Sequence, residues 1–332
     1  MRPSGGGVVS TATLVPETWE LTGDDARRTL LHTGRRRLLA DAFERLRVAD
    51  GFSHARSLAF TIALTLVQGL IALVGLASAL SNTRLGEVIA NAVQGAVPGP
   101  AGQVLTQAVQ QAQDAGASGK FLPLVLGGIG ALVTATTAMG QLERGLNRIY
   151  GVEQDRPTVQ KYGRAFLLAF TCGALTAGAF VTLAWGREVG DQIDNRLLST
   201  IWSWTRWPLA VLLIAVAITL LFRSCPRRHQ PALSWLAYGA TISVLGWVVV
   251  TPALSGFFAW STSFGDTYGP LAGMVALLLW AFLSSVAIFF GAAVAAQLEA
   301  VRAGAAVPQD AEKVAESEPA ASALPAPLAS VR

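Results

Sequence analysis

Residues 267–298 read TYGPLAGMVALLLWAFLSSVAIFFGAAVAAQL, a run of 32 residues that contains no Asp, Glu, Lys or Arg. About 20 helical residues cross a hydrocarbon core that is about 30 Å thick, so this run is long enough to span a bilayer. The hydrocarbon offers no water to backbone N–H and C=O groups, and a spanning segment must pair them internally as a helix. The run therefore predicts a membrane-spanning helix.

Five further long apolar stretches lack charged residues in the same way: 57–83, 121–142, 165–186, 207–222 and 230–265. Together the six stretches hold 155 of the 332 residues, and all 46 charged residues lie in the other 177. The overall charged fraction of 14% is therefore an average over two compositions, whereas a soluble protein carries about 25% charged residues. This division excludes a soluble enzyme, a fibrous protein and a mainly disordered chain. It predicts an all-α polytopic membrane protein with six transmembrane helices.

Flanking residues mark where the fourth and fifth spans end. The fourth has only 16 residues, but Arg206 and Arg223 flank it and can extend their side chains to the interface, where three nearby tryptophans are typical. In the fifth, Pro252 and Gly256 indicate a helix end near residue 254. We predict spans at about 57–83, 121–142, 165–186, 207–222, 233–254 and 268–298.

The orientation of the spans follows from the basic residues between them. The first segment, every second loop and the last segment together hold 20 Lys and Arg, whereas the alternate loops hold 5. Loops rich in Lys and Arg face the cytoplasm. Both termini are therefore predicted to be cytoplasmic, and the basic pI of about 9.4 is a signal of topology and not of nucleic-acid binding.

The segments outside the spans differ in composition. Residues 1–23 and 303–332 are rich in small residues and Pro, which predicts disordered tails on either side of a transmembrane domain at 57–302. Residues 24–56 combine apolar residues at helical spacing with three consecutive arginines and predict a cytoplasmic amphipathic helix region. Such a helix could lie on the inner leaflet or pack on the ends of the spans.

The loop between spans one and two, residues 81–120, is the longest on the predicted extracytoplasmic side. Two apolar helical faces follow each other in it, and Pro98-Gly99-Pro100 separates them. We expect two short helices on the outer surface, which either cap the bundle or form a lid over a cavity.

The sequence contains no motif of a known catalytic centre. It has no cluster of metal ligands, no P-loop, no GxSxG and no HExxH. We therefore predict that the protein is not an enzyme, has no catalytic or metal-binding residues and needs no cofactor. Within the spans, Gln68, Thr134, Thr137 and Gln141 are the densest polar side chains; they either line a polar path or bridge helices.

The most distinctive polar group lies at the cytoplasmic end of span two. Arg144 and Arg148 are four residues apart on the continuing helix, with Asn147 beside them and Arg156 just beyond. Two like charges at this spacing need a shared partner, which could be an anionic lipid headgroup or an acidic side chain. The alternative is that these residues only anchor the helix end on the cytoplasmic side.

Three segments resemble one bacterial family. LNRIYGVE at 146–153, followed by Arg156-Pro157, resembles the signature of the YihY/BrkB family of inner-membrane proteins. The segment from Tyr268-Gly269 through Trp280 to Gly291-Ala292 resembles the family's last span, and a weaker likeness lies around residues 49–60. The resemblance covers residues 40–302 and implies a protein of the bacterial cytoplasmic membrane. It also implies links to envelope integrity, serum resistance and the export of a lipid or another amphiphile.

The chain departs from the family pattern in the last span. There the family usually has a Glu and an Asn, where this sequence has Ala293 and Ala295. If the family works through that carboxylate, this member either does not or uses Gln297 and Glu299 instead. An older label of the family, ribonuclease BN, finds no support in the residues present.

Two functions remain open at this stage. In the first, the protein transports an amphiphile such as an anionic lipid, whose headgroup contacts Arg144, Asn147, Arg148 and Arg156. In the second, it is a membrane scaffold or interaction protein that does not transport. In either case the protein is surrounded by the lipid bilayer, and a homo-oligomer is possible.

Overall fold

The computed structural model describes residues 11–18, 20–79, 97, 99–117, 122–191, 196–261, 264, 268, 271–305 and 307–310. Over these residues the chain forms nine helices, and its one β-type pairing is an isolated bridge between Ala12 and Asp310. The helices are α1 (Gly23–Thr33), α2 (Arg35–Val48), α3 (Gly51–Ala79), α4 (Gly99–Ala117), α5 (Leu122–Tyr150), α6 (Thr158–Asp191), α7 (Arg196–Ser224), α8 (Leu233–Trp260) and α9 (Ala272–Arg302).

Six of these helices, α3 and α5 to α9, are long and apolar enough to cross a membrane, which confirms the predicted all-α fold with six spans. Each spanning helix packs on the next one in sequence, and α9 returns to α3, so the helices follow one another around the bundle. We call the end at which α5 and α7 finish and α8 begins the basic end. The opposite end, which carries α4, is the far end.

The helices extend beyond the uncharged stretches of the sequence. Helix α7 continues well before residue 207 and includes Arg206 and Pro208, so the fourth span is not a short helix. The predicted end of the fifth span near residue 254 is wrong, because α8 runs through Pro252 to Trp260. A proline is tolerated within a spanning helix where neighbouring groups restore polar contacts. Next to Pro252, the Thr251 hydroxyl accepts a hydrogen bond from Trp280 Nε1 at 3.1 Å, which joins α8 to α9 at this point.

The segment before the first span forms two helices that pack on the last two spans. Gly34, at a φ of +82°, separates α1 from α2. Helix α2 packs against α9 and buries Leu38, Ala42 and Leu46, while α1 packs mainly on α8. These contacts agree with packing on the ends of the spans, the second of the two alternatives from the sequence; a contact with a leaflet stays a prediction.

Parts of both predicted tails differ from the expected disorder. Ala12 and Val15 are buried, and the backbone N–H groups of these two residues donate to the carbonyl oxygens of Arg148 and Tyr150. On the other side, Thr13 N–H donates to the carbonyl of Gln309 at 2.9 Å. Of the two helices predicted between spans one and two, the second corresponds to α4, whereas residues 80–96 lie outside the described residues.

The spanning helices form two hydrophobic cores. The core at the basic end takes buried residues from all six spans and from α1 and α2. The core at the far end is built from α3, α4, α8 and α9; among the described residues α7 contributes nothing to it, and α6 contributes only the partly buried Phe180. Among the described residues, the hairpin of α6 and α7 therefore contributes its buried side chains mainly to the core at the basic end.

Helices α8 and α9 approach each other most closely at Gly239 and Gly291. A Cβ atom built on Gly239 would lie 2.5 Å from the carbonyl oxygen of Gly291, and one built on Gly291 would meet Ser243. The Ser243 hydroxyl donates to the carbonyl oxygens of Gly239 and Ile288. Small residues at such a crossing allow the close backbone approach on which helix association in lipid depends.

We expect Gly239→Ala to lower the thermal stability of the purified protein in detergent. The added methyl group has no space, and overpacking of this kind costs about 1–3 kcal/mol. Gly173→Ala in α6 is the matched control, because nothing lies within 4 Å of a Cβ at that position. Equal melting temperatures for the two variants would show that the crossing does not limit stability.

Candidate functional site: the polar network at the basic end

Two loops meet at the basic end through Asn147, which is fully buried near the end of α5. Its side-chain Nδ2 donates to Asp155 Oδ1 at 3.0 Å, and its Oδ1 accepts from the backbone N–H of Arg227 at 2.8 Å. Residue 155 lies in the loop between α5 and α6, and residue 227 in the loop between α7 and α8. One side chain thus joins both loops.

Asp155 forms ion pairs with two basic side chains at this junction. Its Oδ2 lies 2.8 Å from Lys161 Nζ and 3.4 Å from Arg144 Nε. Burial alone would raise the pKa of Asp155, but hydrogen bonds from Lys161 and Asn147 outweigh it and hold the pKa below its usual value. The carboxylate therefore stays ionised and fixes the start of α6 against the end of α5.

Arg148 and Arg156 bind carbonyl oxygens that follow the ends of helices. Arg148 Nη1 donates to the carbonyls of Val152 at 2.7 Å and Glu153 at 2.6 Å. Arg156 donates to the carbonyls of Cys225 and Pro226, at 2.6 and 2.7 Å, just after α7. Arg156 Nη1 also lies 3.2 Å from the buried carboxylate of Glu143. These guanidinium groups supply donors to loop carbonyls just beyond the helix ends, which have no helical partner of their own.

The four side chains proposed from the sequence as headgroup contacts therefore differ in what they can reach. Asn147 is buried, and Arg148 and the side chain of Arg156 are 9% and 12% exposed with protein partners in place. The side chain of Arg144 is 47% exposed and could meet a headgroup directly. In this arrangement Asn147, Arg148 and Arg156 fix the loops, and a direct contact with lipid stays a prediction for Arg144.

A second group of charged residues lies deeper, between α2, α5 and α9. Arg45 is fully buried; its Nε donates to Gln297 Oε1 at 2.9 Å and its Nη1 to the carbonyl of Ile149 at 3.2 Å. Burial lowers the pKa of Arg45 to about 10, so the group still carries its charge at neutral pH. Arg228 forms a buried pair with Glu299, with Nη2 2.6 Å from Oε1, and its guanidinium carbon lies 4.8 Å from the Tyr150 ring centre.

The segment of residues 11–18, which we call the N-terminal strap, crosses this group. The carbonyl of Thr13 accepts from Arg45 Nη1 at 3.0 Å, and the carbonyl of Pro16 accepts from Arg228 Nη2 at 3.1 Å. The Thr18 hydroxyl donates to Glu299 Oε1 at 2.6 Å. The strap thus binds both buried arginines and the buried carboxylate.

Four polar atoms of this group have no hydrogen-bond partner among the described residues: Arg45 Nη2, Arg228 Nη1, Tyr150 Oη and Glu299 Oε2. A buried polar atom without a partner costs about 1–3 kcal/mol, so the closed arrangement is not fully satisfied. The sequence analysis pointed to Gln297 and Glu299 through the departure from the family pattern, but missed Arg45, Arg228 and the strap. The position of Arg45 does indicate burial, because it lies between Ala42 and Leu46 on the buried face of α2.

The candidate path residues lie on α3 and α5. The Thr134 hydroxyl donates to Gln68 Oε1 at 3.1 Å, and Thr65 donates to Thr134 at 3.0 Å, so these side chains bridge the two helices. Thr137 donates to the carbonyl of Val133 in its own helix, and Gln141 is partly buried. Gln68 and Thr134 therefore bridge two helices, which is the alternative to lining a polar path.

Within the described part of the chain, no three His, Cys, Asp or Glu side chains come together as a possible metal site. The fold and the polar network define a multi-pass helical membrane protein whose loops are tied together at one end. The chain belongs to the family described as Virulence factor BrkB, whose model matches residues 42–316. The resemblance drawn from the sequence is thereby confirmed.

Curated relatives are similar over most of this chain. The ribonuclease-like protein YfkH of Bacillus subtilis (strain 168) is 24% identical over 265 residues, 78% of this chain and 94% of YfkH. A UPF0761 membrane protein of Xanthomonas campestris pv. campestris (strain B100) is 27% identical over 76% of this chain and 58% of its own length. A third, from Azoarcus sp. (strain BH72), is 28% identical over 80% of this chain and 63% of its own length. No solved structure matches the chain.

The chain thus covers about three fifths of the two UPF0761 relatives and nearly all of YfkH. The relatives identify a family of bacterial membrane proteins, in agreement with the six apolar helices.

We expect Arg156→Gln to destabilise the purified protein by about 3–5 kcal/mol, because it leaves Glu143 buried without its partner. Arg144→Gln should cost about 0–1 kcal/mol, since its pair with Asp155 is exposed to solvent. Thermal or denaturant unfolding in detergent measures both.

The double variant Glu143→Gln/Arg156→Gln provides the control for this prediction. It removes both charges and should recover part of the stability lost in the single variant. If Arg144→Gln proved as destabilising as Arg156→Gln, the distinction between the loop-fixing arginine and the exposed one would be wrong.

Proposed function

We propose that this protein transports or accommodates an amphiphile in the bacterial cytoplasmic membrane, with both termini on the cytoplasmic side. The observation that carries this proposal is the division of the bundle into two cores. At the basic end all six spans share one core, whereas the far-end core is built from α3, α4, α8 and α9 and, among the described residues, takes only Phe180 from the α6–α7 hairpin. A bundle closed at one end and divided at the other can admit a chain-like apolar molecule between its parts.

The surfaces beside this division are apolar and exposed. Large apolar side chains of the far half of the hairpin and of α8 are exposed: Val181, Ile201, Leu245, Val248 and Val249. Such surfaces suit an acyl chain, and they face lipid when no such molecule is bound.

The long apolar stretches that form most of the spans contain no Asp, Glu, Lys or Arg. Coupling to a proton or a metal cation usually relies on an ionisable side chain within the membrane. An apolar tail needs no such group, and a polar headgroup can stay at the interface. The partly exposed Thr137 and Gln141 on α5 remain the candidates for a polar lining of the route.

Reconstituted vesicles that contain a fluorescent phospholipid test this proposal. Loss of fluorescence to a membrane-impermeant quencher reports how fast the lipid crosses between the leaflets. We expect the wild-type protein to accelerate crossing, and Phe180→Ala to change the rate several-fold, since it removes the contact of the hairpin with the far-end core.

Phe170→Ala is the matched control for this experiment. It lies on the same helix and is 70% exposed, so its truncation should leave the rate unchanged. A wild-type protein that leaves lipid crossing at the rate of protein-free vesicles would instead support the non-transporting scaffold, and a homo-oligomer would then be the first assembly to seek.

A further inference from the structure

The N-terminal strap occupies positions that an anionic group would take. Two of its carbonyl oxygens, those of Thr13 and Pro16, accept hydrogen bonds from the guanidinium groups of Arg45 and Arg228. Arginine guanidinium groups bind phosphate oxygens strongly because their donors match the geometry of the anion and the hydrogen bonds are charge-assisted. A carbonyl oxygen carries only a partial charge and is a weaker partner for the same donors.

The charge of the buried group favours an anion over a neutral ligand. Arg45 and the side chain of Arg228 are 0% and 2% exposed, and Glu299 is the one buried carboxylate paired with them among the described residues. The group therefore carries an excess positive charge. In addition, within the described part of the chain Arg45 Nη2 and Arg228 Nη1 have no partner, and the Tyr150 hydroxyl is a third unused donor.

We propose that Arg45 and Arg228, with Tyr150, form a binding site for a phosphate group, and that the N-terminal strap covers this site as a displaceable substitute for the ligand. Displacement exchanges two neutral carbonyl acceptors for an anion and supplies partners to the unused donors. The strap is a short segment without helix or strand, held at Thr18 by the carboxylate of Glu299 and by the backbone N–H groups of Ala12, Thr13 and Val15, and its displacement breaks these hydrogen bonds as well.

The inference rests on the proposed function, since the phosphate group would be the headgroup of the amphiphile. Free inorganic phosphate has the same chemistry, and the experiment distinguishes the two sources. Its readouts are the mobility of the strap and the binding of phosphate, which do not require transport, so that either proposal can fail alone.

The first measurement places a spin label on the strap at Leu14→Cys in the full chain, reconstituted into phosphatidylcholine nanodiscs. Leu14 is 63% exposed, whereas the two native cysteines are buried, so the label reacts at the introduced position. We expect inorganic phosphate, or phosphatidic acid in the nanodisc, to increase the mobility of the label. A response to phosphatidic acid alone identifies a lipid headgroup, and a response to inorganic phosphate identifies a soluble anion.

The second measurement uses variants that separate the strap from the site. Thr18→Val removes the hydroxyl that holds the strap to Glu299 and should increase the affinity for radiolabelled phosphate, measured by equilibrium dialysis. Adding Arg45→Gln to Thr18→Val should weaken that binding about tenfold or more, as expected for the loss of a charge-assisted hydrogen bond. Arg47→Gln in the same background is the matched control, because Arg47 is exposed on the same helix and pairs with Glu44.

Two results would overturn the proposal. One is a label at position 14 whose mobility is unchanged by phosphate and by phosphatidic acid, in the wild-type background and with Thr18→Val. The other is equal phosphate binding by Thr18→Val and by the double variant with Arg45→Gln.

Discussion

The structure at the basic end depends on carbonyl oxygens of the loops and the strap that accept hydrogen bonds from arginine side chains. A helix donates none of its own N–H groups to its last carbonyls, and the loops that follow add more acceptors. Here four arginines supply the donors: Arg148 for the loop after α5, Arg156 for the loop after α7, and Arg45 and Arg228 for Ile149 and the strap. The loops, the strap and the last span are thereby held in one network.

These contacts show that the basic residues counted in the sequence do not all have the same role. In the sequence their number indicates the cytoplasmic side, and that rule treats every Lys and Arg alike. In the structure Arg45, Arg148, Arg156 and Arg228 are largely buried and bound to protein groups, whereas Arg144 and Arg47 are exposed. The same count thus includes residues that stabilise the fold and residues that remain available to lipid.

The six spans could be predicted because their signal is additive and local: a bilayer requires about 20 apolar residues in sequence, wherever they later pack. The end of α8 could not, since a proline usually ends a helix in water but is tolerated within a spanning helix, and α8 continues through Pro252 to Trp260. The strap could not be predicted either. Its composition resembles that of a disordered tail, and only partners such as Glu299, 281 residues away, give it an ordered place.

For the site, sequence reasoning found the right region but not the right roles. The spacing of Arg144 and Arg148 indicates a shared anionic partner, yet Arg148 turns to backbone carbonyls and Asp155 takes Arg144. The identity of a partner depends on the course of two loops, which helical periodicity does not encode. Arg45 was overlooked because an arginine among leucines on an amphipathic helix is usually solvated.

The contact between Thr18 and Glu299 joins nearly the first and the last described residues of the chain. During synthesis the strap is made before any of the spans, and its carboxylate partner is made only after the first five spans. Thr18 can therefore form this hydrogen bond only after the sixth helix has been made. The contact between Thr18 and Glu299 is therefore present only in a chain that already includes the sixth helix, and it distinguishes such a chain from every shorter nascent chain.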